Sequence, residues 1–447
     1  MNSWIKNRWV SFANQPALAG RGNDISYTEL IGLWDKAAED LEKLNLKLPT
    51  VVGVVGGYSS ASVVWLMVLE AAGHLIVPLL EEDEEISQKV TLAGAQYLIF
   101  AKTKTWDIKK QISEAPNHPF ILELINQKQS GIVLFSSGTS GPAKLMVQNF
   151  SNLLGAYKDK RSHRLSILII LGFDHIGGIN TLLGILSSGG LMVIPEDKSP
   201  ARVIEAIEQY KVTVLPASPS FLNLLALSGL VTPEKIKSLH LITYGTEPMP
   251  ETLLERIRAT FLGIRLKQTF GTTETGILHT ESVGSDSNFL RFTDPGLQWK
   301  VIDNELWLKS STQIKGYLNS KNENFTDDGW FRTGDRIEIG PEGSLRILGR
   351  MGDMINVGGN KLMPIEVETV ILDVPGVIDC RAFGQPNAIL GQVVTAEVVP
   401  ALDQNQETLR AAIRQFCRTR LPTYKVPVSI RFVENIMGNR FKKTRTN

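Results

Sequence analysis

Apolar positions along this chain come in short runs separated by helix-length segments, and the alternation repeats. TVVGVV (Thr50 to Val55) is a β-branched run suited to a buried strand. SSASVVWLMVLEAAG (Ser59 to Gly73) follows, with a capping serine before and a glycine stop after an apolar stretch of helix length. HLIVPLL, from His74, closes the unit as a second strand, giving a βαβ pattern. The same rhythm returns in LSILIILGF, GINTLLGILSSGG and LMVIP, between Leu165 and Pro195. The endings AAGHLIVP and SSGGLMVIP are alike, which suggests two related α/β halves. A further round, KVTVLPASPSFLNLLALSG followed by LHLITYG, extends the second half. Open, largely parallel sheets covered by helices are therefore expected.

Past about Leu297 the texture changes to short strands and turns: LQWKVID, ELWLKS and SLRILGR. After GRMGDMINVGGNK a small α+β pattern begins, with MPIEVETVILDVPG as a helix and DCRAFGQP and VVTAEVVP as strands. NQETLRAAIRQFCRTRL then reads as an amphipathic helix. A domain boundary is placed near Gly349 to Asp353. The expected fold is α/β, with a large body of packed, parallel-rich sheets and a small barrel-like β part over residues 1–350. A small mobile α+β domain follows over 351–447.

Length supports that division, because 447 residues exceed the size at which a single core usually splits. A formal net charge of +1 lacks the basic excess of a nucleic-acid binder. The two cysteines, Cys380 and Cys417, exclude a disulfide framework; they read as buried thiols in a reducing compartment. MNSWIKNRWVSFANQ has no uninterrupted apolar core of a signal peptide, and the tract Val51 to Leu80 is interrupted by Glu70 and His74. A cytoplasmic enzyme or binding protein without a membrane span is expected. The acidic run Glu81 to Glu85 reads as a solvated loop.

Chemistry concentrates first in FSSGTSGPAK (Phe135 to Lys144), where a buried strand opens into glycines, four hydroxyls and a lysine. Two readings stay open at this point. One is a surface turn; the other is a phosphate cradle built from backbone N–H groups, hydroxyls and an ammonium. The stretch lacks the GK[ST] ending of a Walker A loop, so a P-loop mechanism is not supported. Three later segments bear on the choice: QTFGTTETG (Gln268 to Gly276), GWFRTGD (Gly329 to Asp335) and GRMGDMINVGGNKLMPIEVE (Gly349 to Glu368).

In this order and at these separations the four segments resemble the adenylate-forming (AMP-binding) ligase superfamily, which includes acyl-CoA synthetases. The likeness runs through CRTRLPTYKVPVSIRFVE near the end of the chain. It implies ATP-dependent activation of a fatty or aryl acid to an acyl-adenylate with release of pyrophosphate. Transfer to a thiol follows, on CoA or on the phosphopantetheine of an acyl carrier protein. The alternative is a degenerate nucleotide- or acyl-binding protein that does not complete turnover.

Carried onto this sequence, the resemblance gives Ser136, Ser137, Gly138, Thr139, Ser140, Gly141 and Lys144 the β- and γ-phosphates. Phe270 would stack on adenine, within Thr269, Gly271 and Thr272, and Gly245, Thr246 and Glu247 would flank adenine and the acyl pocket. Thr273 would touch the α-phosphate and Glu274 would hold Mg²⁺, a cation that favours one carboxylate plus substrate phosphates. Asp335 would take the ribose hydroxyls with Arg350 assisting; Gly358 and Gly359 would face the thiol. His175 would stand between acyl pocket and thiol tunnel, with Asp174 fixing its tautomer. Each residue also has a plain structural reading: Glu274 as a carboxylate at a helix start, Asp335 as a turn residue, Phe270 as core, His175 as a packed side chain.

The chain departs from the family pattern at its end, MGNRFKKTRTN. Aligning on a lysine three residues before an arginine makes Lys442, with Arg445, the catalytic lysine, and Lys443 is the substitute.

Overall fold

The computed structural model describes residues 3–48, 50–113, 118–136 and 143–436. Two large sheets carry the repeated strand–helix–strand units. In the first, the order is Thr105–Lys110, Tyr97–Lys102, Val51–Val55, Leu75–Leu79, Gly131–Phe135, Leu145–Asn149. Its four middle strands are parallel and an antiparallel strand closes each edge. In the second, Arg265–Gln268, Leu241–Tyr244, Val214–Ala217, Ser166–Leu168, Leu191–Val193 and Pro16–Ala19 are parallel, and Ile25–Ser26 ends the sheet antiparallel. Pro16–Ala19 comes from the chain's beginning, so the second half is completed by a segment far from it in sequence.

The helix Ser60–Ala71 lies between the two sheets, which explains why it is apolar all round. Every residue from Ser60 to Leu69 is buried, including Trp65, whose ring meets Trp106 edge-on at 5.6 Å. Its start is fixed by Ser59, whose hydroxyl accepts the Ser62 amide. The helix Ile176–Ser188 packs into the same core, together with Trp9 and Trp34. Burying each such large apolar side chain is worth roughly 1.5–3 kcal/mol.

A third, antiparallel sheet of six strands follows, in the order Thr280–Ser282, Leu290–Phe292, Leu345–Arg350, Phe331–Ile339, Glu305–Lys309, Gln298–Ile302. It ends at Arg350. The turn Met351–Asp353 then leads into a segment with its own core, in which Val367, Ile371, Cys380, Val394, Ala396, Ile413 and Cys417 pack together. Both cysteines are free and buried. The strands Gly391–Pro400 and Val377–Asn387 form its long hairpin, backed by the helices Pro364–Leu372 and Gln406–Arg420.

This C-terminal unit grips the body through few polar contacts. Arg256 donates to the Ile378 carbonyl at 3.0 Å and to Asn223 Oδ1 at 2.7 Å, and Asn223 donates to the same carbonyl at 3.2 Å. Thr252 donates to Asp373. The acidic run at 81–85 is a turn, and Asp83 pairs with Lys89 at its edge.

Candidate active site

Strand ends from three sheets meet around Glu274. The preceding turn is held by backbone and threonine contacts: Thr272 Oγ1 accepts the Thr275 amide at 3.1 Å, and Gln148 donates to the Thr273 carbonyl at 2.7 Å. The Ile314 amide donates to the Glu274 carbonyl at 2.8 Å. With its backbone fixed, the Glu274 carboxylate accepts the Tyr317 hydroxyl at 2.8 Å through Oε1, and Oε2 has no hydrogen-bond partner among the described residues. Burial and Glu274 push the Tyr317 phenol far above its ordinary range, so it stays a donor. The Lys144 ammonium stands 4.5 Å over the Tyr317 ring.

Asp335 and Arg350 face each other across adjacent strands of the third sheet, as register partners. Arg350 Nε lies 3.1 Å from Asp335 Oδ1, and Arg350 Nη1 donates to the Thr333 carbonyl at 2.6 Å. The Asp335 side chain is 8% exposed and that of Arg350 55%. Burial raises the Asp335 pKa, Arg350 pulls it back, and Glu274 and Glu305 push it up again. Arg350 is raised in turn, first by Asp335 and then by Glu274, against burial. Two carboxylates, a guanidinium, an ammonium and a phenol thus act on one another in one place.

The remaining predicted residues fall around this centre or away from it. Ser136 and Lys144 clasp each other, the Ser136 amide donating to the Lys144 carbonyl at 3.0 Å and the Lys144 amide to Ser136 Oγ at 3.0 Å. Ser137, Gly138, Thr139, Ser140 and Gly141, and Lys442 with Lys443, lie outside the described residues. Gly245 backs onto Thr269: a Cβ there would stand 2.6 Å from the Thr269 carbonyl oxygen, so only glycine fits. Thr269 Oγ1 donates to the Tyr244 carbonyl at 3.1 Å. Thr246 is held at a φ of 72°, costly for a β-branched residue.

Glu247 accepts both the amide and the hydroxyl of Ser220, at 3.2 and 2.7 Å, in the first turn of the helix Pro219–Leu227. Its carboxylate is thereby committed to that helix. Phe270 is buried with Leu278, Leu290 and Leu306, its ring edge-on to Phe292 at 5.8 Å. Gly271 lies where its strand and Gly276–Leu278 run too close for a side chain.

His175 caps the helix Ile176–Ser188, its Nδ1 accepting the Gly177 amide at 3.1 Å. The neutral ring therefore carries its proton on Nε2, set by the helix start. Gly358 and Gly359, at φ of 57° and 88°, are the two central residues of the turn joining Ile355–Val357 to Asn360–Leu362. Their amides bond within the C-terminal unit, to the Leu390 carbonyl and Asn356 Oδ1.

Tyr317, Gln148 and Thr333 were not singled out from the sequence. The faint signal for Tyr317 is KGYL, a tyrosine behind a glycine at a φ of 157°, but its tie to Glu274 spans 43 residues.

A hard cation with bound nucleotide fits this centre better than a protein-only metal cage would. Glu274 offers one carboxylate oxygen, and among the described residues no cluster of three or more His, Cys, Asp or Glu could hold a metal.

Two parallel-rich sheets, a third antiparallel sheet and a separate C-terminal unit, meeting at these strand ends, define an adenylate-forming ligase architecture. The chain belongs to the AMP-binding enzyme family, whose profile matches residues 5–318; that of the AMP-binding enzyme C-terminal domain matches 366–446. It is 25% identical to a 2-succinylbenzoate–CoA ligase of Listeria monocytogenes, covering 100% of this chain and 98% of that protein. It is 30% identical to the long-chain-fatty-acid–CoA ligase FadD13 of Mycobacterium tuberculosis, over 69% of this chain and 64% of the relative. Its fold matches the anthranilate CoA ligase AuaEII in complex with anthranoyl-AMP. That match has a TM-score of 0.82 and 18% identity, over 98% of this chain and 95% of the other. It also matches the o-succinylbenzoate CoA synthetase of Bacillus subtilis, with a TM-score of 0.76 and 21% identity, covering 100% and 97%.

Proposed function

We propose that this chain is an acid–thiol ligase that activates a carboxylic acid with ATP and passes the acyl group to CoA. The observation that carries the reading is the meeting of Glu274 and Asp335 around Arg350, in the segments where the family resemblance puts nucleotide chemistry. In the first step a substrate carboxylate oxygen attacks the α-phosphorus, and the bond to pyrophosphate breaks. In the second a thiolate sulfur attacks the acyl carbon, and AMP leaves with the bonding pair.

The chain's own groups divide the work of orientation and charge. Asp335, steadied by Arg350, accepts the ribose hydroxyls. Glu274 would hold Mg²⁺ through its free oxygen, the cation supplying charge neutralisation to the phosphates, while Lys144 and the loop 136–144 would grip the outer phosphates. Thr273 meets the α-phosphate; Gly245, Thr246, Thr269, Phe270, Gly271 and Thr272 border adenine, Phe270 offering its remaining exposed edge. Glu247 acts by holding the helix Pro219–Leu227 behind that loop. His175 presents an Nε2 proton at the acyl end. Lys442 arrives from the C-terminal unit (351–447), which turns on the body (1–350) between steps so that Gly358 and Gly359 can meet the thiol.

CoA is preferred over a carrier protein because the named relatives are CoA ligases, and the working compartment proposed is the cytoplasm. Among the described residues no helix is long and apolar enough to cross a membrane. The altered ending MGNRFKKTRTN supports a second reading, a binder that does not turn over. Pyrophosphate release from ATP with a panel of acids, followed by thioester formation with CoA or a phosphopantetheinyl carrier, tests both. Acid-dependent pyrophosphate supports the ligase; nucleotide binding with no pyrophosphate from any acid overturns it in favour of the binder.

A further inference from the structure

KGYLNSKN, Lys315 to Asn322, is a polar stretch between the strands Glu305–Lys309 and Phe331–Ile339, and its glycine and asparagines suggest only a turn. The fold lays it against the strand Leu145–Asn149. Tyr317 bridges Met146, and the Leu318 amide donates to the Leu145 carbonyl at 2.8 Å. Asn319 then spans Lys144. Its Oδ1 accepts the Leu145 amide at 2.7 Å and its Nδ2 donates to the Ala143 carbonyl at 2.9 Å, one residue to either side. Ser136 holds the amide and carbonyl of Lys144 itself, so the backbone at that lysine is fixed from both sides.

Tyr317 joins this lysine to Glu274. Its amide donates to Asn322 Oδ1 at 2.6 Å, and its ring is buried with Met146, Ile314 and Phe325. The Lys144 ammonium stands 4.5 Å over that ring, and the Tyr317 hydroxyl donates to Glu274 Oε1 at 2.8 Å. A phenylalanine would fill the same space, so packing does not call for the hydroxyl. What the hydroxyl adds is direction, because it claims one oxygen of the carboxylate and leaves the other to a ligand. Donating to a carboxylate also enriches the ring in electrons, which strengthens its hold on the ammonium. One buried side chain therefore touches both charged groups.

We propose that Tyr317 and Asn319 are positioning residues that hold Lys144 and Glu274 in a fixed relation, so that the site recognises a divalent cation and the outer phosphates as one object, the metal–triphosphate chelate. Asn319 sets the point from which the ammonium reaches out. Tyr317 sets the spacing between ammonium and carboxylate. Both act through those two groups, so AMP, which lacks the outer phosphates, is indifferent to them. The inference rests on the ligase reading, in which Lys144 meets the outer phosphates and Glu274 the cation, and adds the device that couples the two.

Binding of α,β-methylene-ATP, whose α–β bridge cannot break, would be titrated by calorimetry with Mg²⁺ and in EDTA, with AMP as the control. The parent is expected to bind the triphosphate more tightly with Mg²⁺. Tyr317→Phe keeps the ring and should shrink that Mg²⁺ advantage about tenfold, the usual scale for losing the partner of a metal-holding side chain. Its AMP binding and melting temperature should stay close to the parent's. Tyr317→Phe combined with Glu274→Gln should lose no more of the advantage than Glu274→Gln alone, because the hydroxyl acts through the carboxylate. Asn319→Ala should weaken the triphosphate about three- to tenfold even in EDTA and spare AMP. An unchanged Mg²⁺ advantage in Tyr317→Phe, equal weakening of AMP and triphosphate in either variant, or additive losses in the double variant overturns the proposal. Acid-dependent pyrophosphate release by the parent would then show that the ligase reading stands. A parent that binds neither nucleotide overturns the ligase reading and this inference with it.

Discussion

Replacing Arg350 with methionine removes the cation that pairs with Asp335, a carboxylate almost fully out of water. At 3.1 Å the pair attracts by about 5 kcal/mol at an effective dielectric of 20. Because 55% of the Arg350 side chain is exposed, water screens much of this, and a net loss of about 2–3 kcal/mol is expected near neutral pH. The loss should depend on pH with a definite sign. Burial already raises the Asp335 pKa, and without Arg350 the rise is larger, because Glu274 and Glu305 still oppose ionisation. A raised acid binds its proton more readily folded than unfolded, so stability is full below the ordinary carboxylate value and falls as pH rises through the folded one.

The variant should therefore differ least from the parent near pH 5 and most above neutrality, by at most about 1.4 kcal/mol per pH unit. Urea unfolding at pH 5, 6, 7 and 8, followed by tryptophan fluorescence, measures this. Asp335→Asn in the same background should remove the pH dependence. A constant difference across the series would refute the account, since it would mean that Arg350 acts by packing and by its bond to Thr333 alone.

Glu274→Gln keeps the Tyr317 bond but not the charge, so the Mg²⁺ needed for half-maximal pyrophosphate release should rise at least tenfold with little change in melting temperature; an unchanged requirement makes the carboxylate structural. Lys442→Ala should abolish adenylate formation and spare thioester formation from supplied acyl-adenylate, and loss confined to Lys443→Ala would move the role by one residue. Arg256→Ala removes one hydrogen bond from the body to the C-terminal unit, at the Ile378 carbonyl, and one within the body, to Asn223; the loss, about 1–3 kcal/mol together, should speed proteolysis at 350–353 and change the ratio of the two half-reaction rates. Unaltered cleavage and an unaltered ratio would show that this contact does not hold the unit in place.

Much of the fold could be read from local pattern because its signals are local. Ser59 and the glycine at 73 bracket a helix that depends on residues within one turn of each end, and the three βαβ units follow from strand runs and short links. The strand Pro16–Ala19 could not be placed that way: it pairs with Leu191–Val193 across some 175 residues, and nothing nearby marks that partner. The site divides on the same line. Asp335 and Arg350 were found as motif residues and prove to be register partners on neighbouring strands. Tyr317 was missed because a lone tyrosine gains meaning only from the distant carboxylate it meets. Glu247 was assigned to the adenine loop, yet its partner Ser220 lies one helix earlier, and no spacing rule connects them. The capping role of His175 Nδ1 follows from a helix start that the GFDHIGG stretch hides, since histidine is not among the usual capping residues.

Arg256 and Asn223 both take hold of the C-terminal unit at the main-chain oxygen of Ile378. Every amino acid, proline included, presents that oxygen, so the hold is indifferent to which residue occupies the position. Natural variation can therefore rewrite the outer surface of the small unit freely, provided the course of its backbone near 378 is kept. Apart from Asp373, whose carboxylate accepts from Thr252, mutational drift in that unit is decoupled from these contacts with the body. An exchange of this unit between two such proteins should be judged by superposing the backbone at that point, not by comparing side chains across the seam.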